Sequence, residues 1–349
     1  MSNLSLYVIN RTQLGSTNIT LDNAHFVTYM TVSSFSCLFT IVVYLLLTTL
    51  TFWRRFYLTG SRFLLVHQFL AELLMVGVHW PLLLLQMLLA RHGIFTSNKF
   101  CRHFFFFYVV NMMAALWGLC ALSFNRFIAI VYPHLYARFT RRRFLLAQVV
   151  SFWILGIAIH LPFYVDGSGF VAESPWTLCN FARQGGLMFD IAATLRVHLP
   201  LAVAGVMHVI VLCQVAASRR QIHRSAADAA ASAPGSAAYR KRVMLAKMLF
   251  ANWIVHCMCF ATLPMLKSVL PLWVFRQMMT LPWLRDVFYA GYLSTPVLFY
   301  AMNKECREVV NSVLMCATVT EAKPEASMSY AQSHKGQPHT AFLKTVAVP

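Results

Sequence analysis

Seven long apolar runs fix what this chain can become. They lie at roughly 28–53, 62–89, 101–133, 144–165, 191–217, 243–270 and 281–302. A helix needs about 20 mostly apolar residues to cross a bilayer. In hydrocarbon the backbone must satisfy its own hydrogen bonds, so runs of this length predict helices. The predicted fold is an all-α membrane protein, a seven-transmembrane helix bundle. Composition agrees: 59% of residues are hydrophobic and 11% charged, where soluble domains carry about 25% charge.

The connections orient the bundle. FWRRFYLTGSR, HLYARFTRRR and the stretch from Ala217 to Arg242 hold thirteen Lys and Arg, against six on the opposite side. Basic residues collect on the cytoplasmic side, which places the N-terminus outside. Three glycosylation triplets, at Asn3, Asn10 and Asn18, point the same way. Residues 1–25 lack a basic start and an apolar core, so no cleavable signal peptide is expected and the first span inserts itself. The net charge of +18 is then a topology signal and a surface for anionic lipid or an acidic partner. No nucleic-acid motif accompanies it.

The run LSFNRFIAIVYP, 122–133, places Asn125, Arg126 and Phe127 late in the third span. A charge there is a functional residue by default. With seven spans, an Asn-Arg-Phe at this place and a Tyr-Pro after it, the chain resembles the rhodopsin-like (class A) G-protein-coupled receptors. Cys101 stands 25 residues before Arg126, Trp153 nine before Pro162, and Pro200 and Pro264 lie in the fifth and sixth spans. Thr295-Pro296-Val297-Leu298-Phe299, with Tyr300 next, stands where the family carries Asn-Pro-x-x-Tyr. Asn303-Lys304-Glu305-Cys306-Arg307 resembles the start of the amphipathic helix after the seventh span.

The resemblance implies a cell-surface receptor in the plasma membrane that senses an extracellular ligand and activates a heterotrimeric G protein. It implies a Cys101–Cys179 disulfide and G-protein coupling through Asn125, Arg126, Phe127, His208, Phe299 and Tyr300. It divides the chain into an extracellular tail (1–27), a bundle (28–302), an amphipathic helix (303–316) and a disordered cytoplasmic tail (317–349). Ser327, Ser329, Ser333 and Thr340 in that tail are candidate phosphorylation sites for an arrestin partner. Cys316 is either palmitoylated or free.

This sequence departs from the family at several switch positions. Asn125 replaces the acid before Arg126. Glu72 replaces the second-span Asp. No Asn lies between residues 26 and 53. Thr262 precedes Pro264 where a Trp is usual, and His208 stands where the fifth span carries Tyr. Ala115 and Thr295 replace the Ser and Asn that help hold sodium, which weakens the case for a sodium site at Glu72. A neutral Asn125 restrains Arg126 less than an acid would, so raised basal activity is expected.

The position that carries an Asp in amine receptors is Tyr108, which disfavours an amine ligand. Arg196, Lys267 and Arg285 instead lie in pocket-facing registers. Either they converge with Tyr108 on an anionic ligand, or they are half-buried charges paired with Asp190 and Asp286. RFLLVHQFLAELLM, NKECREVV and the Tyr-Pro-His-Leu-Tyr run are similar to fish-type odorant receptors, which makes a small odorant a candidate and olfaction the setting.

A transporter or channel with a seven-span bundle is the alternative function, but no internal repeat marks two halves. No enzyme motif is present, and no cofactor is implied. His256-Cys257-Met258-Cys259 reads as helix packing, since residues two apart on a helix face different ways. No metal site is expected.

Overall fold

A computed structural model of the chain describes residues 23–53, 62–166, 170–173, 176, 178–181, 187–226, 243–244, 246–260, 279–302, 307 and 310–311. Asn3, Asn10, Asn18, Thr262, Lys267 and Cys316 lie outside the described residues, as do most of 303–316 and all of 317–349. The chain divides into two units, Met1–Arg307 and Glu308–Pro349. The first holds the bundle; of the second, Val310 and Asn311 are described, both helical.

Among the described residues, five helices are long and apolar enough to cross a membrane: Asn23–Thr49, Phe63–Arg91, Asn98–Val131, Arg142–Val165 and Leu187–Ala217. The described part of the sixth span is the shorter apolar helix Ala246–Phe260. The seventh is Thr280–Met302, 23 residues long and less apolar, because Arg285 and Asp286 sit in it. The third span is the axis. Its apolar stretch is 78% buried, against 17% to 44% for the other four. Between helices in lipid there is no hydrophobic driving force, so shape and polar contacts hold the bundle.

Proline sets the details. The third helix ends at Val131, short of the expected end at 133, and a separate helix runs Pro133–Phe139. The residue before a proline is pushed out of the helical region, and Tyr132 has φ −127° and ψ 63°. The second and fifth spans each open into one π turn, Met75–His79 and Thr194–His198. The turn closes with Trp80 N–H on the Met75 carbonyl in one case and Leu199 N–H on the Thr194 carbonyl in the other. The next donors in each register would be Pro81 and Pro200, which have no N–H. The carbonyls left over are Val76 and Leu195. Each is taken by a neighbouring helix: the Cys37 thiol donates to Val76 (3.5 Å) and the Trp117 indole donates to Leu195 (3.1 Å).

The connection between the fourth and fifth spans, read from sequence as polar loop, contains an antiparallel hairpin. Its strands are β1 (Phe170–Glu173) and β2 (Leu178–Phe181), with Ala172 opposite Cys179. The Cys101–Cys179 disulfide ties it to the third span. Phe170 and Cys179 pack with Cys101, Phe105 and Val109, and Trp176 stacks on Phe26 of the first span.

Candidate functional site

Three layers of side chains cross the bundle. In the outer layer Arg196 projects from the fifth-span π turn and is 9% exposed. Its Nη1 lies 3.5 Å from His160 Nε2 on the fourth span. His160 Nδ1 is 2.9 Å from the Gly156 carbonyl. A carbonyl only accepts, so Nδ1 carries the hydrogen and Nε2 is left as an acceptor facing the guanidinium. Tyr108 on the third span packs against the cluster of Cys101, Phe105, Val109, Phe170 and Cys179. Arg285 donates to the Cys179 carbonyl of β2 (3.4 Å). Of the residues singled out in the sequence, Tyr108 and Arg285 therefore border one cluster, and Arg196 faces His160. Asp286 turns elsewhere: Tyr29 donates to it at 3.2 Å, and Ser33 donates to its other oxygen. The expected neutralisation of the arginines by Asp286 is thus replaced by a clasp between the first and seventh spans. Adjacent residues on a helix point about 100° apart, which sends Arg285 and Asp286 to different neighbours.

Aromatic rings wall this layer. Tyr108 stacks on Phe105 (5.2 Å) and meets His79 edge-on (5.5 Å). Trp80 stacks on Tyr289 (4.8 Å). Phe260 meets Phe288 at 4.4 Å and Tyr292 at 5.3 Å. Phe260 is therefore the described aromatic between the sixth and seventh spans, four residues before Pro264. Gly291 permits that approach, since a Cβ there would sit 3.0 Å from Cys259 Cβ.

The middle layer centres on Glu72, fully buried. Gln68 donates to its Oε1 (2.6 Å) and Thr295 to the same oxygen (3.1 Å). The Tyr44 hydroxyl lies 2.5 Å from Oε2 and 2.6 Å from the Tyr292 carbonyl. His256 Nε2 stands 3.7 Å from Oε1, with Nδ1 on the Asn252 carbonyl (2.9 Å). Asn252 reaches Thr295 (3.2 Å), and Ser294 donates to Asn252 (2.8 Å). Four spans meet on one carboxylate. Protein donors occupy its oxygens, which fits the sequence reading of a poor sodium site. Sequence reasoning missed Tyr44, Asn252 and His256 in this network. The missing first-span Asn was noted, but nothing in the pattern says that a tyrosine reaches the acid. A cavity of about 10 Å³ beside Gln68, Asn252 and Thr295 has room for roughly one water.

The inner layer holds the expected coupling residues. Asn125 is 3% exposed. Phe127 packs with Ile130 against Val211, Val215, Val243 and Ala246 of the fifth and sixth spans. Ser123 donates to the Leu119 carbonyl (2.9 Å). Its oxygen, 3.0 Å from His208 Nε2, then accepts from the histidine. The His208 ring also lies against Phe250 (5.9 Å) and Trp253 (6.1 Å). Phe299 meets Phe69 edge-on at 5.4 Å. It stands apart from the Phe127 cluster. Ser123, Phe250 and Trp253 were not singled out by sequence, because their role depends on which helix faces which.

The described residues thus form a helical bundle wrapped on its third span, with a hairpin tied to that span by a disulfide and a basic residue, Arg126, near the span's other end. The chain matches the family model of the 7 transmembrane receptor (rhodopsin family) over residues 40–298, and it belongs to that family. A search of curated proteins returned no match. The chain is thus a multi-pass membrane receptor of the G-protein-coupled class, and the transporter or channel alternative is not favoured.

Proposed function

We propose that this receptor sits in the plasma membrane with its N-terminus outside and recognises a small anionic ligand, such as a carboxylate odorant, in the outer layer. The observation that carries the reading is a buried Arg196 facing His160 on the fourth span, with Arg285 of the seventh on the Cys179 carbonyl beside the cluster that Tyr108 packs against. Guanidinium groups recognise carboxylates through paired hydrogen bonds. The aromatic walls suit the apolar part of such a ligand. Lys267 belongs to the same proposed group by its register. The likeness to fish-type odorant receptors supports a chemosensory ligand.

At the inner end, Asn125, Arg126 and Phe127, with His208, Phe299 and Tyr300, are proposed to form the G-protein face. The sequons Asn3, Asn10 and Asn18 are proposed to carry glycans, Cys316 a palmitoyl group, and the C-terminal tail to bind arrestin once phosphorylated.

The test is G-protein activation in transfected cells by short- and long-chain carboxylates, with the matched alcohols and amines as controls. Carboxylates should activate where alcohols and amines do not. Arg196→Ala and Arg285→Ala should each abolish that response at equal surface expression, and Arg126→Ala should abolish all coupling. Activation by the amines alone, or carboxylate potency indifferent to both arginines, would remove the anionic-ligand reading.

A further inference from the structure

We propose that Ser123 and His208 form a latch that holds the receptor at rest. The proposal rests on the reading that the inner ends of the third, fifth and sixth spans face the G protein.

The argument begins with how the fifth and sixth spans are joined. The Trp253 indole donates to the Leu201 carbonyl at 2.8 Å. It lies flat over Gly205, where a Cβ would come within 2.5 Å of its Cζ2. Phe250 stacks on the same indole at 5.7 Å. Tight shape and a half-buried hydrogen bond make these two helices move as a pair. Their hold on the third span is of two kinds. Towards the outside, Trp117 takes the Leu195 carbonyl that Pro200 leaves free. Towards the inside, His208 donates to Ser123, three residues before Arg126, and below it Phe127 and Ile130 make apolar contact with Val211, Val215, Val243 and Ala246.

Opening the inner end means moving the paired helices away from the third span. The outer contact serves as the pivot. The apolar contacts below can slide, since dispersion has little direction. The Ser123–His208 bond cannot slide. It is directional and buried, with Ser123 1% and His208 3% exposed, so separation leaves two polar groups without their partner. The latch supplies directional restraint one helical turn from Arg126.

The experiment uses the full-length receptor in lipid nanodiscs, without agonist. Two signals are read: nucleotide exchange on a panel of purified G proteins, and a fluorescent unnatural amino acid at Met244, an exposed position near the inner end of the sixth span. Ser123→Ala and His208→Phe should each raise agonist-free exchange about five-fold, the shift that losing one ordinary hydrogen bond gives. The double variant should rise no further than either single one. Ser123→Thr, which keeps the hydroxyl that His208 meets, should stay near wild type. A change at Met244 without a rise in exchange would support the latch and defeat the coupling reading. Unchanged signals in both channels, additive effects in the double variant, or lowered thermal stability with no opening would overturn the latch.

Discussion

Single side chains decide how this receptor handles charge in the membrane. Glu72 is tolerable at the centre because Tyr44, Gln68 and Thr295 surround its oxygens. Tyr44→Phe removes the one hydroxyl hydrogen that Glu72 and the Tyr292 carbonyl share. It should destabilise the purified receptor by about 1–3 kcal/mol, measured as a lowered thermal midpoint in detergent. Gly205 is equally exacting. Gly205→Ala drives a methyl into the Trp253 ring and should cost about 1–3 kcal/mol as an overpacked contact, checked by the same melt. In the outer layer His160 turns its acceptor nitrogen to Arg196. His160→Phe should weaken any carboxylate agonist by roughly ten-fold, the value of an ordinary lost contact, with surface expression unchanged. The sequence made Glu72, Arg196 and Arg285 legible because a charge in an apolar run stands out. Tyr44, Ser123 and His160 were not legible, because neutral polar residues in a span look alike until their neighbours are known.

At the level of elements, two prolines do the same work in two helices. Pro81 and Pro200 each open a π turn, and each frees a carbonyl that a neighbouring helix takes up. The second of these turns presents Arg196. Trp117→Phe keeps the ring volume and loses the N–H, so the Leu195 carbonyl goes unpaired. About 1–3 kcal/mol of stability should disappear, together with some agonist potency, both read on the purified receptor. In the sequence Pro200 stood out only as a family marker and Pro81 did not stand out, so neither π turn was legible. The hairpin is a stronger case. A Gly-rich loop with one cysteine was legible, whereas the pairing of β1 with β2 was not, because four-residue strands carry too little pattern to be told from loop. Its anchor was legible through family spacing. Cys101→Ser or Cys179→Ser should lower surface delivery and cost about 2–4 kcal/mol, measured by surface immunostaining and thermal unfolding.

At the scale of the whole molecule, the third span is the common wall of all three layers. It supplies Tyr108 to the outer one, Asn111 to the Ala71 carbonyl near the middle (3.1 Å), and Ser123 to the inner one. A ligand that changes how the fifth span meets this wall at Trp117 can change it again at Ser123, since both contacts lie on the same two helices. Orientation is the whole-molecule prediction. Glycosidase treatment should shift the mass of the wild type, and the triple variant Asn3→Gln, Asn10→Gln, Asn18→Gln should show no shift if the N-terminus is outside. Sequence by itself determined that the chain crosses a bilayer, how many times, which charges are exceptional and which family it resembles. These follow from local composition and spacing, because the cost of placing each residue in hydrocarbon is largely its own. Tertiary structure alone decided that Asp286 clasps the first span, that Phe260 packs against Phe288 and Tyr292 of the seventh span, and that Ser123 meets His208. Those are relations between helices. They depend on the rotation and depth of each helix against its neighbours, which packing sets and one-dimensional pattern leaves open.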